Sequence, residues 1–233
     1  ATVDIGKKLI PVNLVLSLAD IKYGEDATAV VSLTAKDPEL GNIVRLNGVV
    51  NVTVGDQTKE VTVTDGEGQI KFSGLNANSY VAIAEFLGDD TYDYAMVTAP
   101  VTVKQLKTRI VARNMTTTAI NVTEDGRIGQ YFSWTLVDEK GNVLANKPVS
   151  IGFNANVYNR VTNSSGQARL QINLQNSGPY TFAISFLGDD NYNGSFEVVK
   201  IDVNKQKASL TAKGATYKAS AATKTLSATY KTK

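Results

Sequence analysis

An all-β fold, arranged as β-sandwiches in tandem, follows from three features of this 233-residue sequence. A heptapeptide repeats at an offset of one hundred residues: Phe86-Leu87-Gly88-Asp89-Asp90-Thr91-Tyr92 returns as Phe186-Leu187-Gly188-Asp189-Asp190-Asn191-Tyr192. Self-similarity at a fixed period is the mark of a repeated structural unit. Large apolar residues alternate with small or polar ones through the segment leading into the second copy, Tyr180, Phe182, Ile184 and Phe186 against Thr181, Ala183 and Ser185. A period of two puts one set on a buried face and the other on an exposed face of a strand. No segment carries a helical period of apolar residues.

In the second repeat the broken first strand is expected over 109–112 and 119–122. A strand over 130–137 follows, with Phe132, Trp134 and Leu136 on one face and Tyr131, Ser133 and Thr135 on the other. The Asp138-Glu139-Lys140-Gly141-Asn142 turn separates it from strands at 149–153, 158–162, 168–174, 180–187 and 195–203. The first repeat gives the same order over 29–103. Seven or so short strands with regular turn signals make the pattern of an immunoglobulin-like two-sheet sandwich. Tyr80 and Tyr180 open the sixth strand, where a ring enters the core and its hydroxyl reaches backbone, as in a tyrosine corner. Gly88 and Gly188 stand where that strand ends and the chain turns, a place suited to positive φ. Tyr92, Tyr192 and Trp134 complete the set of structural residues.

The junctions repeat as well. Val3, Val103 and Val203 share one register, and so do Lys7, Lys107 and Lys207. The expected organisation is the end of a preceding repeat at 1–8, domains at 9–104 and 105–206, and the first strands of a following, incomplete domain at 207–233. The chain then reads as an internal slice of a longer array. The 101–107 linker contains no Gly, Ser or Pro, so it is unlike a flexible tether. The last strand of one domain is expected to run almost directly into the first of the next.

Composition narrows the function classes. With no Cys and no His, the sequence lacks the usual zinc ligands and the Ser–His–Asp or Cys–His nucleophilic sets. No disulfide can form. Lys+Arg 24 against Asp+Glu 22 is near balance and gives no broad electrostatic case for nucleic acid. No apolar run approaches the length of a membrane helix, so no membrane insertion is expected of this segment.

Lys147-Pro148-Val149, then Thr162 with Gly166-Gln167-Ala168, then Tyr180, Phe186, Gly188-Asp189 and Tyr192 resemble a known family. They are similar to the bacterial-type immunoglobulin-like repeats of prokaryotic surface proteins, with the nearest likeness to adhesin-like proteins of methanogenic archaea. The resemblance covers both repeats and the flanking stubs. It differs locally in the first repeat, where Gly48-Val49-Val50 stands in place of Lys147-Pro148-Val149. It implies an extracellular, cell-surface location and a non-enzymatic role. Such domains serve as stalks, spacers and ligand binders alike.

Candidate sites are few. The acidic pairs Asp89, Asp90 and Asp189, Asp190 offer carboxylates of the kind calcium takes. The simpler account is a turn bracing the domain end, with Asp189 and Asp190 facing Lys104 and Lys107. No other cofactor is expected. Sequons for N-linked glycan occur at Asn51, Asn114, Asn121, Asn163 and Asn193. Of these, Asn114, Asn163 and Asn193 fall in expected loops and Asn51 in a strand. Val81 and Ile83 should point outward where the second repeat has Thr181 and Ala183. A Lys–Asn isopeptide crosslink has no triad identifiable by position. The expected partners are neighbouring immunoglobulin-like domains of the same chain. The favoured role is a semi-rigid stalk displaying an adhesin, with a distal cell-surface or carbohydrate ligand. The alternative is a filament of identical subunits joined by strand complementation through the terminal strands.

Overall fold

The computed structural model describes residues 8–120, 128–153 and 155–232, and among these there is no helix. Contacts divide the chain into two compact units, Ala1–Lys107 with Gly188–Asn193, and Thr108–Leu187 with Gly194–Lys233.

The first unit holds β1 (Val12–Ser17), β2 (Ile21–Lys22), β3 (Ala27–Lys36), β4 (Ile43–Arg45), β5 (Gly48–Val54), β6 (Gln57–Val63), β7 (Glu67–Phe72), β8 (Asn78–Phe86) and β9 (Ala95–Lys104). In one sheet β3 is the centre, pairing antiparallel with β1, β4 and β7. The other sheet runs β2-β9-β8-β5-β6. Alternation fixes which face is buried: Ala27, Ala29, Val31, Leu33 and Ala35 of β3 point into the core, as do Val50, Val52 and Val54 of β5. Phe72 and Phe86 fill the space that these small residues leave between the sheets.

The second unit repeats the plan with β10 (Thr108–Val111), β11 (Met115–Thr118), β12 (Tyr131–Asp138), β13 (Pro148–Phe153), β14 (Asn156–Val161), β15 (Gln167–Gln171), β16 (Gly178–Gly188) and β17 (Asn193–Asn204). Its sheets run β10-β12-β15 and β11-β17-β16-β13-β14. Its core gathers several rings into one cluster. The Phe132 ring lies 5.8 Å from Trp134 and 6.1 Å from Phe182, and Phe153 lies 4.4 Å from Phe182, all centroid to centroid. The chain is therefore an all-β protein of immunoglobulin-like sandwiches. The last two strands, β18 (Ala208–Ala212) and β19 (Ala228–Thr232), form an antiparallel pair.

Strand limits differ from the sequence expectation in instructive places. The second half of the broken first strand is Met115–Thr118, not 119–122. The β-branched threonines, rather than the apolar Ala119 and Ile120, take the parallel pairing with β17. Residues 121 and 122 lie outside the described residues. The fifth strand stops at Gln171 instead of 174 because the chain turns to Gly129 there. Gly129 N donates to Asn173 Oδ1, and a Cβ on Gly129 would overlap Ile172 O. Alternation also fails at the end of β12, where Val137 and Asp138 are both buried. Asp138 Oδ1 accepts from Lys140 N and Asn142 N, and Oδ2 from Asn142 Nδ2, so its burial is compensated by three hydrogen bonds.

Candidate functional site

The repeated heptapeptide builds the same loop twice. Gly88 has φ +81° and Gly188 φ +88°, the left-handed region that glycine enters without a Cβ penalty. Any Cβ at Gly88 would sit 2.9 Å from Tyr92 O. The next residue then folds its carboxylate back on the loop. Asp89 Oδ1 accepts from Thr91 N and Tyr92 N, both at 2.7 Å, and Asp189 Oδ1 from Asn191 N and Tyr192 N, both at 3.0 Å. Each loop pairs with the segment that opens its own repeat. Ile10 N donates to Thr91 O and Asp93 N to Ile10 O; Leu106 N donates to Asn191 O and Asn193 N to Leu106 O.

The linker side chain that meets the second loop is Gln105. Its Nε2 donates to Asp189 O at 2.7 Å and to Asp190 O at 3.1 Å. This corrects the expectation that Lys104 faces Asp189 and Asp190. Lys104 pairs with Asp20 at 3.4 Å instead, and what the linker reads is carbonyl oxygen, which an amide serves as well as a cation does. Within the first unit, Asn191 Oδ1 also accepts from Ala77 N, and the Tyr192 ring lies edge-on to Tyr23 at 5.5 Å. Among the described residues no group of three acidic side chains gathers where it could hold a metal ion, and Asp89 and Asp189 spend one carboxylate oxygen each on loop amides.

Tyr80 Oη donates to Asn76 O at 2.9 Å and Tyr180 Oη to Asn176 O at 2.8 Å, the same four-residue step back in both repeats. The Tyr180 ring stands edge-on to Phe153 at 5.3 Å. Trp134 is 1% exposed, and its Nε1 has no hydrogen-bond partner among the described residues. Of the sequons, Asn51 lies in β5 opposite Glu60 and Glu85. Asn114 Oδ1 accepts from Lys200 N, and Asn163 Oδ1 accepts from Ser165 N and Gln167 N. Asn193 opens β17, and Asn121 lies outside the described residues. Val81 is exposed and Ile83 half-buried.

Sequence reading missed a gathering of side chains on the outer face of the β10-β12-β15 sheet. Tyr131 of β12, Arg169 of β15 and Arg160 of β14 border one open groove of about 810 Å³. The signal was present in the alternation of Gln167–Gln171, which turns Arg169 outward toward the strand carrying Tyr131. The approach of Arg160 from the other sheet had no sequence signal.

No protein-family model matches this chain. Solved structures similar to it include invasin, a bacterial integrin-binding protein, at 15% identity and a TM-score of 0.49, covering 86% of this chain and 42% of that one. Fibronectin(III)-like modules of Clostridium thermocellum CbhA match at 15% identity and TM-score 0.31, covering 83% of this chain and 95% of that one. A 1.5-MDa bacterial ice-binding adhesin matches at 12% identity and TM-score 0.38, covering 88% and 70%. The immunoglobulin-like assignment stands on the strand order above.

Proposed function

We propose that this chain is a non-enzymatic segment of an extracellular adhesive surface protein, a semi-rigid stalk of immunoglobulin-like repeats that holds a distal binding region away from the cell. The observation that carries the reading is the repetition itself together with its junction. β9 ends at Lys104 and β10 begins at Thr108, and the residues between them are engaged: Gln105 by carbonyls of the 188–193 loop and Leu106 by that loop's backbone. A linker without Gly, Ser or Pro is unlike a Gly/Ser tether. The resemblance of the repeated motifs to surface-protein repeats supports the extracellular location.

A second reading, a filament subunit, is favoured by one observation. β18 and β19 pair with each other, and Leu210 and Tyr230 on them are 71% and 65% exposed. Two strands cannot enclose a sandwich core, and open strand edges are sites of strand addition. Light scattering coupled to size exclusion, with small-angle X-ray scattering on the same fractions, separates the readings. Elongated monomers with and without residues 207–233 support the stalk. Assembly of the full chain alone supports the filament, and a compact, collapsed particle refutes the stalk.

A further inference from the structure

We propose that the outer face of the β10-β12-β15 sheet is a binding site for a carboxylated polysaccharide, a chain of uronate-type sugars. This goes beyond the display reading and does not rest on it, since a segment that binds no glycan could still act as a spacer.

Charge is the first observation. The overall near-balance hides a segregation: residues 9–104 carry 6 Lys and Arg against 13 Asp and Glu, whereas residues 105–206 carry 10 against 8. Five of the six arginines of the chain lie between positions 109 and 169. Three of them line two neighbouring depressions that both include Tyr131. Arg160 and Arg169 line one, and Arg113 lines the other, with Tyr131, Ser133 and Gln167 common to both. No Asp or Glu borders either one. Among the described residues these three guanidinium groups pair with no carboxylate.

Geometry is the second. The Arg169 guanidinium lies 4.3 Å from the Tyr131 ring centroid, a stacking that orients it while leaving the N–H groups at its edge to a ligand. Arg160 is anchored by Nε to Arg169 O and by Nη1 to Asn159 O, and Nη2 remains for the groove. Arg169, with its edge open, matches a carboxylate through two parallel bonds, and Arg160 adds a single charge-assisted bond from Nη2. Between the charges stand the hydroxyl of Ser133 and the amides of Gln167 and Gln171, groups that both donate and accept as sugar hydroxyls require. Nucleic acid fits less well: its affinity comes from many phosphate contacts and serial base stacking, and this face offers three cations and one ring.

The first repeat supplies the internal control. Its β3-β7 register places Thr28 opposite Lys71, Val30 opposite Gln69 and Ser32 opposite Glu67. The β12-β15 register places Tyr131 opposite Gln171, Ser133 opposite Arg169 and Thr135 opposite Gln167. The same sheet therefore carries Thr28 and Gln69 where the second repeat has Tyr131 and Arg169, and it adds Glu67 in place of Gln167. Outward substitutions to the first repeat's residues are compatible with the fold by example.

The test uses the whole 233-residue chain in affinity electrophoresis and calorimetric titration against polygalacturonate, its methyl-esterified form, dextran and polyglutamate. The expected result is binding to polygalacturonate alone. The Tyr131→Thr/Arg169→Gln variant should weaken it by at least about tenfold, the scale of one lost charge-assisted bidentate contact, with the Trp134 unfolding transition retained. Lys213→Gln/Lys218→Gln should change nothing. Absence of binding to polygalacturonate at low salt overturns the proposal. Equal binding to polyglutamate makes the face a general or acidic-peptide surface and overturns it too. Weakening by the lysine variant rather than the Tyr131 variant does the same.

Discussion

Replacing Tyr180 with Phe isolates one hydrogen bond. The ring stays, with its edge contact to Phe153 at 5.3 Å, and only the Oη donation to Asn176 O at 2.8 Å is lost. The bond is short and neutral, and water has partial access to the freed carbonyl, so the cost falls within the usual net value of about 0.5–1.5 kcal/mol. For a unit of roughly 100 residues, 1 kcal/mol moves the melting midpoint by about 4–8 °C. Trp134 is the sole tryptophan and is buried in the same core, so its emission follows the unfolding of this unit directly. Tyr180→Leu removes the aromatic pair as well and should lower the midpoint further, by an additional ~1 kcal/mol or more. A Tyr180→Phe midpoint within about 1 °C of the parent, well below the shift expected for a net hydrogen bond, would refute a stabilising role for this corner.

Three further outcomes are expected. Thr162 is buried, with Oγ1 donating to Leu144 O at 2.6 Å and accepting from Lys147 N at 2.9 Å, so Thr162→Val should cost about 1–3 kcal/mol by denaturant titration. Gly88→Ala should destabilise more than Gly24→Ala. Both glycines have φ near +80°, but only at Gly88 does the new Cβ meet backbone, so the shared strain of about 1 kcal/mol is joined there by a clash. Asp37 is held below its ordinary 3.8 by the amides of Leu40 and then Glu39, and Asp20 by the amide of Thr102 and, to a lesser degree, by Lys104. A depressed folded value means that this stabilisation is full above the ordinary carboxylate range and is lost as pH falls through the folded value. Asp37→Asn should therefore flatten the acid limb of a stability–pH curve, and an unchanged limb would remove Asp37 from its causes.

The period of two and the hundred-residue offset made most of the architecture legible. Phe132, Trp134 and Leu136 point inward as alternation requires, because one buried face leaves a strand only one acceptable register. What stayed hidden depends on pairing between distant segments. Asp138 breaks the alternation because its carboxylate closes its own turn, a local competition that a polarity pattern cannot express. Gln105 rather than Lys104 meets the 188–193 loop because the groups presented there are carbonyls, while the sequence advertises only the neighbouring carboxylates. The surroundings of Tyr131 come from three strands in two sheets, so no single window of sequence contains them.

The parallel pairing of early and late strands has a mechanical consequence. In each unit a strand near the beginning lies alongside the closing strand and runs in the same direction, β2 on β9 and β11 on β17. Tension applied to the two ends of such a unit slides these strands past each other. Their hydrogen bonds then bear the load together, instead of opening one at a time as in an unzipping hairpin. The patch holds two residue pairs in the first unit, Ile21 with Val103 and Lys22 with Lys104, and four in the second, Met115–Thr118 with Ile201–Asn204. Rupture under load is set by this barrier and not by equilibrium stability. Single-molecule stretching should show the first unit yielding at the lower force, and equal rupture forces would discard the idea. A chain graded in this way would lengthen in steps under tension: the weaker repeat is spent as slack while the stronger one keeps its fold.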